Sequence, residues 1–306
     1  MCIAQKKLFL LLFSIMNQSS YTKENIAQHY DDFSELYENW SGSINGGYHY
    51  GIAKHMSDVL HNDVMVSHLS NYIIDSFEIN ENDAPVIFDA GCGSGDIAQM
   101  IAMRYKKAQI YGMTLSREQY KIAQKKHTMN KQISIVHGDF EKTNFTNEKF
   151  DIIFFVDSIC HATDEDKFFA LKESYRILKP GGKLIICDAF LQKDRVQWSK
   201  WFAFINQKVL NIWRVNAWGV EEKIKDGAVS LGYVNYTATN LTWRIVPSVL
   251  HIIFTKIPWA ALKSMQDKKY LKELSYFLRL GLYAPLLGMH PTFRYQLVTL
   301  QKPQKN

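Results

Sequence analysis

The chain of 306 residues is predicted to be an α/β protein, a parallel sheet with helices on both faces beneath a mostly helical cap. Three observations predict this. Val86–Ala98 (VIFDAGCGSGDIA) is an apolar run, a turn with glycine at alternate positions and the start of a helical pattern. From about Pro85 to Asp188, apolar strand-like runs alternate with helical periodicity, which implies right-handed βαβ crossovers. After Asp188 the alternation gives way to aromatic-rich stretches.

Taken in order, Ser20–His61 carries helical segments around the aromatic, Gly-rich SGSINGGYHYG, and Ser67–Phe77 reads as a helix feeding the first strand. That strand starts at Val86 and ends in Asp89; the second is Ala108–Met113 and the third Ile133–Val136. Phe150–Ala162 (FDIIFFVDSICHA) is a fully buried fourth strand with its C-terminal loop. Arg176–Asp188 (RILKPGGKLIICD) reads as a helix end, a Pro-Gly-Gly turn and a fifth strand, with Pro180, Gly181 and Gly182 shaping the fold. Val196–Val215 holds Trp198, Trp201, Phe202, Phe204 and Trp213. Val220–Leu231 is a helix closed by Gly232, Tyr233–Leu241 alternates like a strand, Trp243–Pro291 is a mostly helical insertion and Phe293–Leu300 a final strand. The expected units are an extension over 1–16, a helical cap over 17–84, the α/β core over 85–190, and an aromatic-rich cap over 191–306 that returns to the core at 219–242 and 293–301.

Composition narrows the class. Four cysteines (Cys2, Cys92, Cys160, Cys187) form no C-x-x-C pair, which favours free thiols and a cytoplasmic setting. The ten histidines are scattered, and no metal site is expected. The formal charge of +6 is modest and no nucleic-acid motif is present. Lys263–Lys272 reads first as a solvated helix face and second as a weak attraction to an anionic lipid surface or a phosphorylated substrate. Leu8–Met16 is apolar but too short to span a bilayer, and no small-x-small cleavage site follows. Met16 is therefore taken as the start, with a membrane anchor as the alternative. Ile245–Leu262 is the most apolar later window, but Pro247, His251, Lys256 and Pro258 interrupt it, so no integral membrane segment is expected.

Gly91, Gly93 and Gly95 let a backbone turn approach a ligand without Cβ interference. A dinucleotide fingerprint needs Gly or Ala three residues after Gly93, and an acid about 20 residues on. Asp96 stands at the first position, and the second strand runs into Thr114 with no acid before Glu118. Both departures argue against a nicotinamide coenzyme and an oxidoreductase. Open α/β sheets bind ligands beyond the carboxyl ends of their strands, which places Asp89, Thr114, Asp139 and Asp157 on one rim.

The D-x-G-x-G-x-G from Asp89 through Gly91, Gly93 and Gly95 resembles the glycine loop of class I S-adenosylmethionine-dependent methyltransferases. GMTLSREQ (Gly112–Gln119) is similar to the G-x-T-L-S-x-x-Q of cyclopropane fatty acid synthases and lipid-directed C-methyltransferases. The resemblance covers roughly Tyr30 to Pro303. It implies a Rossmann-like seven-stranded mixed sheet whose last strand is antiparallel, and S-adenosylmethionine as cofactor. It implies that Thr114, Leu115 and Gln119 lie beside the ribose and methionine chain. In HGDFEK (His137–Lys142), Asp139 would accept from the adenine amino group while Phe140 stacks on the ring.

Three further likenesses bear on the acceptor. Asp157-Ser-Ile-Cys-His161 resembles the E-A-T-C-H-A of sterol side-chain methyltransferases, with Asp157 for their Glu. An alkene acceptor becomes a carbocation once methylated, so Asp157 and His161 are candidates to remove the proton; a hydrogen-bonded rim residue is the plainer role for His161. Cyclopropane synthases carry Glu-His where this chain has Cys160-His161, which counts against cyclopropanation. Tyr48-His49-Tyr50, preceded by Tyr30–Trp40, resembles the cap of sterol, tocopherol and prenyl-diphosphate methyltransferases and makes Tyr48 and His49 candidates to close over cofactor and acceptor; ordinary packing is the alternative. SKWFAFIN (Ser199–Asn206) and FRYQLVTL look similar to pieces of prenyl-diphosphate C-methyltransferases; aromatic faces can stabilise a transient cation, with core packing the plainer role for any single one of them. The expectation is C-methylation of a small apolar, isoprenoid- or sterol-like acceptor. O- or N-methylation of a natural product and a non-catalytic cofactor-binding module are the rivals. Peripheral membrane contact and oligomeric state stay open.

Overall fold

The computed structural model describes residues 21–34, 48–194 and 197–305. The expectation for residues 1–16 lies outside them, as do Cys2 and Gly46-Gly47. Seven strands form one sheet in the order β3-β2-β1-β4-β5-β7-β6. They are β1 (Val86–Ala90), β2 (Gln109–Thr114), β3 (Ile133–His137), β4 (Phe150–Val156), β5 (Leu178–Leu191), β6 (Val234–Asn240) and β7 (Phe293–Gln301). All pairs are parallel except those of β7, which runs antiparallel to both β5 and β6. This is the mixed sheet with an antiparallel last strand that the sequence predicts.

The described helices are α1 (Lys23–Asp32), α2 (Asn62–Asp75), α3 (Asp96–Arg104), α4 (Arg117–His127), α5 (Phe168–Ile177), α6 (Lys200–Trp213), α7 (Glu221–Ser230), α8 (Thr242–Gln266) and α9 (Leu271–Gly288). Alternate residues of β4 feed the two faces of the sheet. Ile152 and Phe154 pack with Leu69 and Ile73 of α2 and Ile101 of α3. Ile153 and Phe155 pack with Leu171 of α5 and Ile224 of α7. A strand buried on both faces is apolar through its buried length, which is why FDIIFFV is apolar from Ile152 to Val156; the half-buried Asp151 near its start accepts from the Val86 N–H at 2.8 Å.

Three expectations change. First, α2 begins at Asn62, five residues before Ser67. Second, Pro180-Gly181-Gly182 lies inside β5. The pairing with β4 steps from Phe150↔Leu178 to Ile152↔Lys183, so the segment bulges out of a strand already begun. Third, α8 runs unbroken through Pro247 and Pro258 and is long and apolar enough to cross a membrane. Its prolines deprive the carbonyls of Trp243 and Phe254 of helical donors, and both of those residues are exposed, so water can serve them. Only 22% of its most apolar window is buried.

Candidate active site

The loop after β1 is pinned to β2: the N–H groups of Gly91 and Cys92 both donate to the Met113 carbonyl at 2.9 Å. Gly91 has φ +99°, and a Cβ there would lie 2.3 Å from Cβ of Ser158. Gly93 has φ +56°, and a Cβ would meet the Tyr48 ring at 2.8 Å. Both positions therefore exclude a side chain twice over, by backbone conformation and by close approach. A cavity of about 100 Å³ opens along this loop.

Asp89, Gly91, Gly93, Thr114, Leu115, Gln119, Asp139, Phe140 and Asp157, named from the sequence, all line that cavity. Gly95 does not. It is the left-handed N-cap of α3, where a Cβ would meet Nε2 of His127 at 2.7 Å, so its role is local. The Thr114 hydroxyl donates to Gln119 Oε1 at 2.9 Å, fixing both polar groups on one wall. Asp139 Oδ1 accepts from Lys23 Nζ at 2.8 Å and from the Glu141 N–H at 2.9 Å. Lys23 Nζ also pairs with Glu141 and stands 5.2 Å from the Phe140 ring centre.

Helix α1 closes the cavity with Lys23, Ile26 and Tyr30, one helical face at i, i+3 and i+7. It is tied down at its other end. Asp31 accepts from the Ser116 hydroxyl and, at 3.1 Å, from the Glu118 N–H in the first turn of α4. Sequence reading missed this clamp because its partners are 85 or more residues apart.

A second chamber of about 330 Å³ shares Tyr30, Tyr48, His49, Asp157 and His161 with the first. Its remaining walls are largely apolar and aromatic, including Trp213, Trp218, Trp243 and Tyr295. Among the described residues of the tryptophan-rich segment, only Trp213 and the nearby Val209 and Val215 reach it. Phe202 is buried in the packing of α6, while Trp201 and Phe204 are exposed.

The shared wall holds the titratable groups. His161 Nε2 and the Tyr30 hydroxyl are 2.7 Å apart. Burial, with His29 and Lys167 nearby, pushes the His161 imidazole down to about 3. His49 is committed on both nitrogens: Nδ1 faces the Tyr50 carbonyl at 2.6 Å and Nε2 faces the Ser70 hydroxyl at 3.0 Å. Burial pushes it down to about 4. Asp157 sits at φ +47°, its N–H donating to the Cys187 carbonyl at 3.0 Å and its carboxylate accepting from the Tyr50 N–H. Burial first, and the charge of Asp188 second, push its carboxyl up.

Asp188, at the carboxyl side of β5, went unnoticed in the sequence. It is buried, lines the chamber, and accepts from the N–H groups of Ala189 (2.7 Å) and Cys160 (3.1 Å). Burial raises it to about 6, with those two N–H groups holding it down. The rim rule that selected Asp89 and Asp157 applies equally to the end of β5 and would have found it.

The first cavity fits S-adenosylmethionine on structural grounds: two positions closed to any Cβ, a Thr114–Gln119 wall and an acid at Asp139. Residues 88–186, from β1 into β5, match the sequence pattern of a methyltransferase domain. The sterol 24-C-methyltransferase of Saccharomyces cerevisiae is 27% identical over 166 residues, 51% of this chain and 42% of that one. The match thus spans less than half of that relative. The 2-methyl-6-phytyl-1,4-hydroquinone methyltransferase of Synechocystis is 24% identical over 80% of this chain and 77% of its own. The fold of the cyclopropane synthase MmaA2 from Mycobacterium tuberculosis superposes with a TM-score of 0.75, over 94% of this chain and all of that one, at 16% identity.

Proposed function

We propose that this chain, built around a methyltransferase domain on the class I S-adenosylmethionine-dependent fold, methylates carbon in a small apolar acceptor of isoprenoid or sterol-like character. One observation carries the reading: a large aromatic chamber shares a wall with the glycine-loop cavity. The sterol and phytyl-hydroquinone methyltransferases it resembles have names that point the same way.

Bound in the first cavity, the cofactor supplies an electrophilic methyl group. Asp139 and Phe140 hold its adenine end, and Thr114, Leu115 and Gln119 its ribose and methionine end. The protein's task is then alignment and exclusion of water. Tyr30 and Tyr48 close the shared wall. An alkene would give its π electrons to the new carbon–carbon bond as the methyl's bond to sulfur breaks, the electron pair of that bond staying on sulfur, and the alkene carbon left behind becomes cationic. Aromatic faces each stabilise such a cation by about 0.5–2 kcal/mol. Its proton passes to the Asp157/Asp188 pair, the C–H electrons restoring the double bond. His161, held neutral, orients Tyr30 and is the alternative base. His49, with both nitrogens engaged, is a positioning residue for Tyr50.

The test is a labelled-methyl transfer screen over prenyl diphosphates, sterols, acyl lipids and phenols, with calorimetry of S-adenosylmethionine against NADH. Label in an isoprenoid or sterol carbon is expected. Label confined to phenols or amines moves the assignment to O- or N-methylation, with the His161–Tyr30 pair as the base. Cofactor binding without transfer to any acceptor overturns the catalytic reading.

A further inference from the structure

Helices α8 and α9 form an antiparallel hairpin joined by residues 267–270. In α8, Trp243, Leu250, Phe254 and Met265 are exposed and fall on one helical face, opposite the buried Ile245, Ser248 and Ile252. Along α9 and its C-cap, Leu271, Leu278, Leu282 and Met289 do the same at spacings of seven, four and seven. Phe254 is 73% and Met265 85% exposed, values far outside a core helix. The two stripes meet at the acceptor chamber, where Trp243, Leu250 and Met289 are both exposed and part of its wall. Residues 242–289 carry seven Lys and Arg against two acidic residues, a surplus of five out of the chain's formal +6.

We propose that this outer face of the hairpin docks on an anionic lipid surface and sets the mouth of the chamber against the bilayer. An apolar stripe flanked by cations matches the boundary between acyl chains and acidic headgroups. A two-fold contact with a second copy would instead bring two such positive surfaces together. Delivery of an acceptor directly from the bilayer rests on the function proposed above, whereas the docking does not.

The experiment is sedimentation of the full chain with phosphatidylcholine vesicles containing phosphatidylserine, and with phosphatidylcholine alone. Binding to the acidic vesicles that weakens with salt is expected. The variant Phe254→Glu/Leu282→Glu, checked for a parental circular dichroism spectrum, is expected to bind at least tenfold more weakly. Lys268→Gln/Lys269→Gln is expected to lose about fivefold per charge. Leu11→Glu, in the apolar segment near the N-terminus, is expected to bind as the parent does. The proposal is overturned if the parent fails to pellet with acidic vesicles, or if Phe254→Glu/Leu282→Glu pellets undiminished. It is also overturned if only Leu11→Glu abolishes binding, or if the hairpin variant merely converts a dimer to a monomer. None of these readouts needs cofactor or turnover, so failure here and failure of the methyltransferase reading are seen separately.

Discussion

Asp157 and Asp188 stand at the ends of adjacent strands in a buried wall of the chamber, and burial makes two negative charges there costly. Both carboxyls are raised, burial being the first cause for each, and Asp188 is brought to about 6. A carboxyl raised in the folded state binds a proton that the unfolded chain has released, so its contribution is whole below the unfolded value of 3.8 and is lost as pH rises through about 6. Asp188→Asn removes this loss. From pH 5 to pH 7 the stability difference between variant and parent is expected to move in the variant's favour by about 1–2 kcal/mol. Chemical denaturation at the two pH values measures it; no change with pH would mean that Asp188 titrates as an ordinary carboxylate. His161 follows the opposite course: pushed down to about 3, it penalises the fold increasingly as pH falls below 6.5. Its imidazole resonances are expected to stay put between pH 7.5 and 5.

At the scale of elements, α1 is a short lid fastened at both ends. Lys23 reaches Asp139 and Glu141 across one side of the cavity, and Asp31 caps α4 on the other. Ser116, the N-cap of α4, accepts from the Gln119 N–H at 3.1 Å, so the lid's anchor and the cofactor wall share one turn. Asp31→Ala is expected to cost about 1 kcal/mol, the usual cost of a lost cap. It is also expected to speed cofactor dissociation severalfold in stopped-flow displacement, while the sheet stays intact by circular dichroism. An unchanged dissociation rate would remove α1 from the gating of the cavity. The strands around this lid were legible in the sequence because each is a short apolar run bounded by turn residues, and the glycine loop because its spacing is local. The clamps were not, because Lys23, Asp31 and Tyr30 find their partners across more than 80 residues. Pro247 and Pro258 interrupt the apolar window Ile245–Leu262 but not the helix, because proline removes one donor and tolerates the rest when the orphaned carbonyl faces water.

At the scale of the whole molecule, the sheet and its helices form one frame, and both cavities lie beyond the carboxyl ends of its parallel strands. Ligand binding to this frame stabilises the folded state alone. S-adenosylmethionine at about 100 times its dissociation constant is expected to contribute about 2.7 kcal/mol, which for a chain of this size raises Tm by about 4 °C. Scanning calorimetry checks it, with NADH expected to leave Tm unmoved. The chamber was less legible than the cofactor cavity. Its walls come from α1, the 48–50 segment, the 157–161 loop after β4, β5, α6, α8, α9 and β7, and no single window of sequence contains the pattern. The hairpin α8–α9 leaves and rejoins the sheet at a single point: the Leu241 N–H donates to the Tyr295 carbonyl at 2.7 Å and the Tyr295 N–H to the Thr242 hydroxyl at 3.0 Å. A stretch whose two roots are stitched together in this way is transplantable. Swapping it for another of different lining would recast the preferred guest while leaving β6 and β7 as they stand, so long as the replacement keeps the contacts of Tyr276 and Lys272 with Phe33 and Asp32 at the end of α1.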